Sequence, residues 1–187
     1  KGPDYSIPLT GTKTDQDRFY FKETKKNQNF SGRYEVTFST KNDPWKSVGL
    51  FEQKKNKITG TFLTETGDFR VLEGNSHGDE IFLSCFDGSH ACSFKGKLIN
   101  DTIHGYFYSG NHYSTGRKGF KNKAFELRDA DSITKQIDES EITFNLPDLD
   151  SNIFEFPNDK YQSKVTIIQI MGSWCPNCRD ETKYYQE

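Results

Sequence analysis

The chain has 187 residues, a formal net charge of −2 and a hydrophobic content of 32%. A balance this near neutral, with no basic block or basic helix, gives no reason to expect a nucleic-acid partner, and no run approaches the roughly 18 apolar residues of a membrane span. The low apolar content is offset by 16 Phe and 9 Tyr, which can fill the core of one large domain or two small ones. The first residue is Lys1 and no signal sequence is visible, so the start reads as a processing or fragment boundary.

Taken in order, residues 1–128 read as an antiparallel β domain. Arg18-Phe19-Tyr20-Phe21 is a candidate first strand. Gly32 to Phe38 is a clearer one, with Tyr34, Val36 and Phe38 on one face and Arg33, Glu35 and Thr37 on the other. Further strands are expected over Ser47–Gln53, Lys57–Thr64, Asp68–Glu73, Asp79–Cys85, Ala91–Leu98 and Thr102–Tyr108, with a last pair around Gly119–Leu127. The turns between them carry Lys55-Asn56, Thr66-Gly67, His77-Gly78, Asp87-Gly88-Ser89-His90 and Asn100-Asp101. Short strands at near-regular spacing predict a meander. One aromatic face per strand predicts closure into a barrel or strongly curled sheet. Ile58-Thr59-Gly60-Thr61-Phe62 and Ile103-His104-Gly105-Tyr106-Phe107 share an Ile-x-Gly-x-Phe pattern, read as glycine making room for a neighbouring aromatic.

The barrel has two readings, a core filled by its own aromatic side chains or a container for an apolar ligand. The filled core is preferred, because no convergent polar group marks a pocket. His90, His104 and His112 with Tyr106, Tyr108 and Tyr113 are candidates for a cluster at one end, although histidines in hairpins are usually turn or surface residues. Cys85 and Cys92 fall opposite each other if the hairpin turns at Gly88-Ser89, both pointing inward. They are a possible structural disulfide or two small buried thiols; directly opposed strand positions often meet disulfide geometry poorly.

Residues 129–140 are polar and charged without strand alternation and read as a linker. Beyond them, Ile142–Leu146 and Ile153–Phe156 are short strands ended by Pro147-Asp148 and Pro157-Asn158-Asp159. Val165-Thr166-Ile167-Ile168-Gln169-Ile170-Met171 is rich in β-branched residues and nearly continuous in apolar character, the pattern of a strand covered on both faces.

That run leads through Gly172-Ser173 into Trp174-Cys175-Pro176-Asn177-Cys178 and a charged segment of helical character. A strand, a short turn and two cysteines three apart at a helix start is the layout of a dithiol redox centre. The thiolate is the attacking form, and a helix N-terminus lowers the pKa that produces it. Pro176 suits the first helical position. Cys175 is then the exposed nucleophile and Cys178 the more buried resolving thiol. Arg179 favours the thiolate, while Asp180 and Glu181 oppose it. The same pair could be half of a zinc site, but zinc takes four ligands, and His77, His90, His104 and His112 lie far from the motif with none at ligand spacing. No metal and no cofactor is therefore expected.

Phe144-Asn145-Leu146-Pro147-Asp148-Leu149-Asp150, the apolar run and Gly172-Ser173-Trp174-Cys175-Pro176-Asn177-Cys178 together resemble the TlpA-type bacterial thioredoxin-like disulfide reductases, a group related to peroxiredoxins. The resemblance covers residues 141–187. It implies an extracytoplasmic enzyme of the bacterial periplasm or cell envelope, often membrane-tethered. Such an enzyme reduces disulfides in partner proteins and is itself reduced by a partner thiol protein. Catalysis would rest on Cys175 and Cys178 with Trp174 and Pro176 in support. The β region also resembles an N-terminal domain that some such proteins carry, notably in Gly49–Gln53 and Ile58–Asp68.

A thioredoxin fold takes roughly 100 residues or more, and the later strands, helices and cis-proline loop of the family have no counterpart here. The expected fold is thus mainly β, an antiparallel barrel-like domain followed by the truncated start of an α/β thioredoxin-like domain. The expected function is that of a thiol–disulfide oxidoreductase, with little activity from this fragment alone. Two alternatives stand beside it: a barrel binding or scaffold module with a non-catalytic remnant, and a peroxiredoxin-like peroxidase. The last is disfavoured because Gly172, three residues before Cys175, offers no hydroxyl where that chemistry has a threonine.

Overall fold

The computed structural model describes residues 10, 12–23, 25–39, 43–86, 90–111, 113–135, 141–172 and 175–186, less the side chains of Ala130 and Pro176. The chain divides into two units, Lys1–Leu127 and Arg128–Glu187.

The first unit carries β1 (Gly32–Ser39), β2 (Trp45–Lys54), β3 (Lys57–Thr64), β4 (Gly67–Asp68), β5 (Leu72–His77), β6 (Glu80–Phe86), β7 (Ala91–Ile99), β8 (Thr102–Ser109) and β9 (Tyr113–Lys121). Each strand pairs antiparallel with the next, except that β5 skips the two-residue β4 to pair with β3, and β9 returns to pair with β1. The ring β1-β2-β3-β5-β6-β7-β8-β9 is a closed up-and-down barrel of eight strands, and β4 hangs on β3 as an extra strand. Closure leaves no edge strand in the ring. The mainly β, barrel-like expectation for this part of the chain holds.

Two-residue alternation accounts for the interior. Tyr34, Val36 and Phe38 from β1, Ile58 and Phe62 from β3, Ile81 and Leu83 from β6, Phe94 from β7 and Ile103 from β8 form one buried cluster. Its rings meet mostly edge to face, Phe51 on Phe62 at 5.5 Å and 83° and Phe62 on Phe94 at 5.3 Å and 72°, the arrangement their quadrupoles favour. The β7–β8 hairpin is set by Asn100 and Asp101, at φ 47° and 60°, between the paired Ile99 and Thr102. Asn and Asp tolerate the left-handed region that such a two-residue turn requires. Gly60 is opposite Phe51, and a Cβ there would strike the Phe51 ring and the Leu50 carbonyl. Gly105 answers to backbone instead, since a Cβ there would lie 2.9 Å from the Gly96 Cα. The shared Ile-x-Gly-x-Phe pattern therefore has two different causes.

Two expectations for this unit are corrected. Arg18–Phe21 is not a strand; a closed ring offers it no edge to join. It crosses the outside of the barrel by side chains. Arg18 donates to Glu73 and to the Ser84 carbonyl, the Phe19 amide donates to Asn75 Oδ1 at 3.0 Å, and the Phe19 and Phe21 rings pack on Phe82. The last strand is Tyr113–Lys121, not Gly119–Leu127. The residues after it fold back along the wall, where Arg33 Nε donates to the Phe125 carbonyl and Arg33 also pairs with Glu126.

The second unit contains a short helix α1 (Ala130–Ile133), strands β10 (Phe144–Pro147) and β11 (Ile153–Phe156) paired as an antiparallel hairpin, a single 3-10 turn at Asp159–Tyr161, and helix α2 (Pro176–Gln186). Asp148 organises the hairpin turn, its Oδ1 accepting from the Asp150 and Asn152 amides at 2.9 Å each. The rings of Phe144, Phe154, Phe156 and Tyr161 pack together beside it. The predicted strand over Val165–Met171 does not form: these residues have no ladder partner, and Val165 and Ile170 are 98% and 97% exposed. A strand exists only through its neighbour's hydrogen bonds, and among the described residues none is supplied. The α/β thioredoxin-like sheet is accordingly absent from the described residues. Among them, no helix is long and apolar enough to cross a membrane.

Candidate functional site

Helix α2 places the dithiol. Pro176 fills its first position, where a missing N–H costs no helical hydrogen bond. Cys175 stands as the N-cap: its carbonyl accepts from the Arg179 amide at 3.2 Å, the first helical bond. Its Sγ accepts from the Cys178 amide at 3.3 Å, the place a Ser or Asp oxygen takes in an ordinary cap. The sulfurs of Cys175 and Cys178 are within disulfide-bonding distance, with Cα atoms 5.4 Å apart. The Cys175 amide donates to the Gly172 carbonyl at 2.9 Å.

Both cysteines are half-buried, so the expected contrast between an exposed Cys175 and a buried Cys178 is not a difference in exposure. It survives only as a difference in position, Cys175 at the cap and Cys178 one turn in. Trp174 lies outside the described residues. Arg179 is exposed, and Glu181 is engaged by the Gln169 side-chain amide at 2.9 Å and the Tyr185 hydroxyl at 2.8 Å. The Glu181 carboxylate holds the Tyr185 phenol above its usual value.

Gln169 was not expected to take part. Its amide also donates to the Cys178 carbonyl at 3.2 Å, and its Oε1 accepts from the Thr182 hydroxyl at 2.7 Å. Gln169 thus ties the mostly apolar run to the cysteine-bearing helix, and Met171 Sδ accepts from the Thr182 hydroxyl at 3.6 Å beside it. A Gln inside a mostly apolar stretch was the available signal.

Cys85 and Cys92 are directly opposed across β6 and β7, as the hairpin register predicts; Asp87, Gly88 and Ser89 lie outside the described residues. The possible disulfide is not made, and both residues are thiols. Cys85 Sγ is directed at the Phe69 carbonyl (3.8 Å) and Cys92 Sγ at the Ser109 hydroxyl (3.9 Å), an outcome in keeping with the poor fit of opposed positions to disulfide geometry.

Of the histidines and tyrosines expected to cluster at one end of the barrel, Tyr108 and Tyr113 are brought close by the pairing of Ser109 with Tyr113, and the Tyr106 and Tyr108 rings lie 6.4 Å apart. His104, Tyr106 and Tyr108 face outward and are exposed, and His112 lies outside the described residues. His77 stacks on Phe21 at 4.5 Å. Among the described residues, no group of three or more His, Cys, Asp or Glu side chains is placed to hold a metal ion.

The barrel interior does hold a polar group that the sequence reading missed. Arg117, on β9 between Phe38 of β1 and Gly105 of β8, points inward and is only 4% exposed. Five rings surround its guanidinium, with the Phe38 centroid at 3.6 Å, Phe107 at 4.2 Å and Phe62 at 4.7 Å, and Phe94 and Phe69 farther out. Ring faces attract a cation, yet none of its three nitrogens has a hydrogen-bond partner among the described residues. Burial pushes this guanidinium down to about 8, only partly offset by Tyr113 and Cys92. The available signal was Arg117 beside Lys118 on one strand: once that strand closes the barrel, one of two consecutive residues must face inward.

No family model matches the chain, and no curated protein or solved structure matches it either.

Proposed function

We propose that the chain belongs to a thiol–disulfide oxidoreductase acting through Cys175 and Cys178, a reading that rests on the motif's resemblance to the TlpA-type reductases. The observation that carries it is the Cys175 sulfur at the N-cap of α2, accepting the Cys178 amide. A helix N-terminus stabilises negative charge there, which favours the thiolate that exchange requires.

In the reaction, the Cys175 thiolate attacks one sulfur of a substrate disulfide and the other sulfur leaves as a thiolate, which takes a proton. Cys178 then attacks Sγ of Cys175, closing the 175–178 disulfide and releasing the second substrate thiol. Two electrons pass from the dithiol to the substrate, and a reducing partner thiol protein restores the pair. An extracytoplasmic location, a membrane tether outside these residues and protein substrates go with this reading.

The test is a trap. With Cys178→Ser, the mixed disulfide has no resolving thiol, so the reduced variant should accumulate a covalent adduct on Cys175 with oxidised insulin, visible by mass and reversed by dithiothreitol. Cys175→Ser should lower adduct formation by about tenfold or more. Equal labelling of both variants would sink the proposal.

A further inference from the structure

The barrel carries a second pair of thiols that the exchange chemistry on α2 leaves unused. Cys85, Cys92, Ser109 and Tyr113 form one row of paired positions across β6, β7, β8 and β9. By alternation they point to the side of Leu83, Phe94, Phe107 and Thr115, the buried residues two places along each strand. Those residues mark the layer that holds the Arg117 guanidinium, which faces the Phe107 and Phe94 rings at 4.2 and 5.5 Å. Tyr113 and Cys92 are the groups whose negative charge favours the protonated form of this buried cation. The attraction is mutual, so the cation favours the thiolate of Cys92.

The two sulfurs have different neighbours. Cys85 Sγ is directed at the Phe69 carbonyl and Cys92 Sγ at the Ser109 hydroxyl. A carbonyl only accepts and so favours a protonated thiol, whereas a hydroxyl can turn and donate to a thiolate. The backbone separation suits a bridge between them. The Leu98 amide donates to the Asp79 carbonyl at 2.8 Å in the same register. Hydrogen-bonded pairs alternate along a ladder, so Cys85 and Cys92 are another such pair, with Cα atoms about 5.5 Å apart, inside the disulfide range. The side chains must still rotate to meet, and a bridge under strain is readily reduced again.

We propose that Cys92 and Cys85 are a second, reversible redox pair that reacts with hydrogen peroxide, Cys92 as the nucleophile beside Arg117 and Ser109 and Cys85 as the resolving thiol. The Cys92 thiolate attacks one peroxide oxygen, the O–O bond breaks, and the departing hydroxide takes up a proton to leave as water. Cys92 is then a sulfenic acid. Cys85 attacks its sulfur, the S–O bond breaks, and the hydroxide leaves with the Cys85 proton as a second water. Two electrons pass from the thiol pair to the peroxide. Both cysteines are half-buried, which admits an oxidant of this size.

The experiment uses the whole chain carrying Cys175→Ser and Cys178→Ser, so that only the barrel thiols react. With iodoacetamide at neutral pH, followed by peptide mass, Cys92 should be alkylated about tenfold faster than Cys85. In urea the ratio should fall to about one, since unfolded thiols share one ordinary pKa. Hydrogen peroxide should consume both thiols with loss of two hydrogens in mass, reversed by dithiothreitol; with Cys85→Ser added, dimedone should label Cys92 instead. Arg117→Met should bring Cys92 down to the rate of Cys85, and Arg117→Lys should restore part of the difference. The proposal is overturned if Cys85 is alkylated as fast as Cys92 in the folded chain, if Arg117→Met keeps the ratio, or if peroxide leaves the thiols intact. Oxidation of Cys92 to a sulfinic acid with Cys85 still a thiol would also overturn it. The alkylation ratio and the peroxide reaction are read with Arg117 in place, so they decide the matter even where the Arg117 variants fail to fold.

Discussion

Ile81, Leu83 and Ile103 in the barrel and Ile167, Ile168 and Ile170 in the second unit are side chains of one kind with opposite fates. The first three are buried almost completely, and the second three are exposed. What separates them is the ladder on either side. Each barrel strand has two hydrogen-bonded neighbours in the ring, and inward residues from several strands meet in one buried cluster. The Val165–Met171 run has no ladder neighbour among the described residues; it is held to α2 through Gln169 and through Met171 Sδ, which accepts from the Thr182 hydroxyl. Apolar character makes a segment suitable for a core, but hydrogen-bonded neighbours decide whether it enters one.

The largest test of this contrast lies at the centre of the barrel. Phe62 is fully buried and touches the rings of Phe38, Phe51, Phe69 and Phe94. Phe62→Ala removes a large side chain from a closed wall that cannot collapse freely, so urea unfolding should show a loss of about 3–5 kcal/mol. A loss under about 1 kcal/mol would mean that the interior is loosely filled.

Most of the barrel was legible because a two-residue period writes one wall at a time. The strand at Lys57–Thr64 has the same bounds in sequence and structure, and the opposition of Cys85 and Cys92 follows from the hairpin register. What was not legible depends on residues far apart in the chain. Closure of β9 on β1 is a non-local event, and without it Arg117 beside Lys118 reads as part of a solvated face. The misplaced last strand, drawn toward Phe120 and Phe125, had the same effect. At the dithiol, the cap geometry could be read from Cys-Pro-x-Cys because it is local to one helical turn. The Gln169 tether joins positions 169, 178, 181 and 182 across the preceding turn, and no periodicity announces it.

A second, smaller test concerns the outer wall of the barrel. Glu35 accepts from Lys46 Nζ at 2.5 Å and from Asn122 at 2.9 Å. The Lys46 hydrogen bond, opposed by burial and helped by Asn122, holds the Glu35 carboxyl below its ordinary value of 4.5. A carboxyl lowered in the folded state adds stability above its unfolded value, and that stability is lost as pH falls through the folded value. Because Lys46 is largely exposed, the contribution is about 1 kcal/mol. Between pH 7 and pH 3 the Tm of Glu35→Gln should therefore fall less than that of the wild type. Parallel curves would show that the pair contributes nothing to the pH dependence.

The smallest effect is expected where the second unit differs most from the barrel. Ile170 is 97% exposed, so the transfer term that dominates a core substitution is already absent. Ile170→Ser removes apolar surface that is in water in both folded and unfolded states. The change in unfolding free energy should be below about 0.5 kcal/mol, within the range of ordinary surface substitutions. Solubility should rise, because the side chain sits in an exposed apolar run of the kind that favours association. Gln169→Ala, one residue away, separates the two roles of this segment. It removes the donor to the Cys178 carbonyl and to Glu181 and should weaken the hold on α2, seen as faster amide exchange at Cys178 and Thr182. If Ile170→Ser instead costs as much as a core substitution, the run is packed in solution and the contrast with the barrel fails; if only Gln169→Ala has an effect, one polar side chain is what holds this apolar segment to the helix.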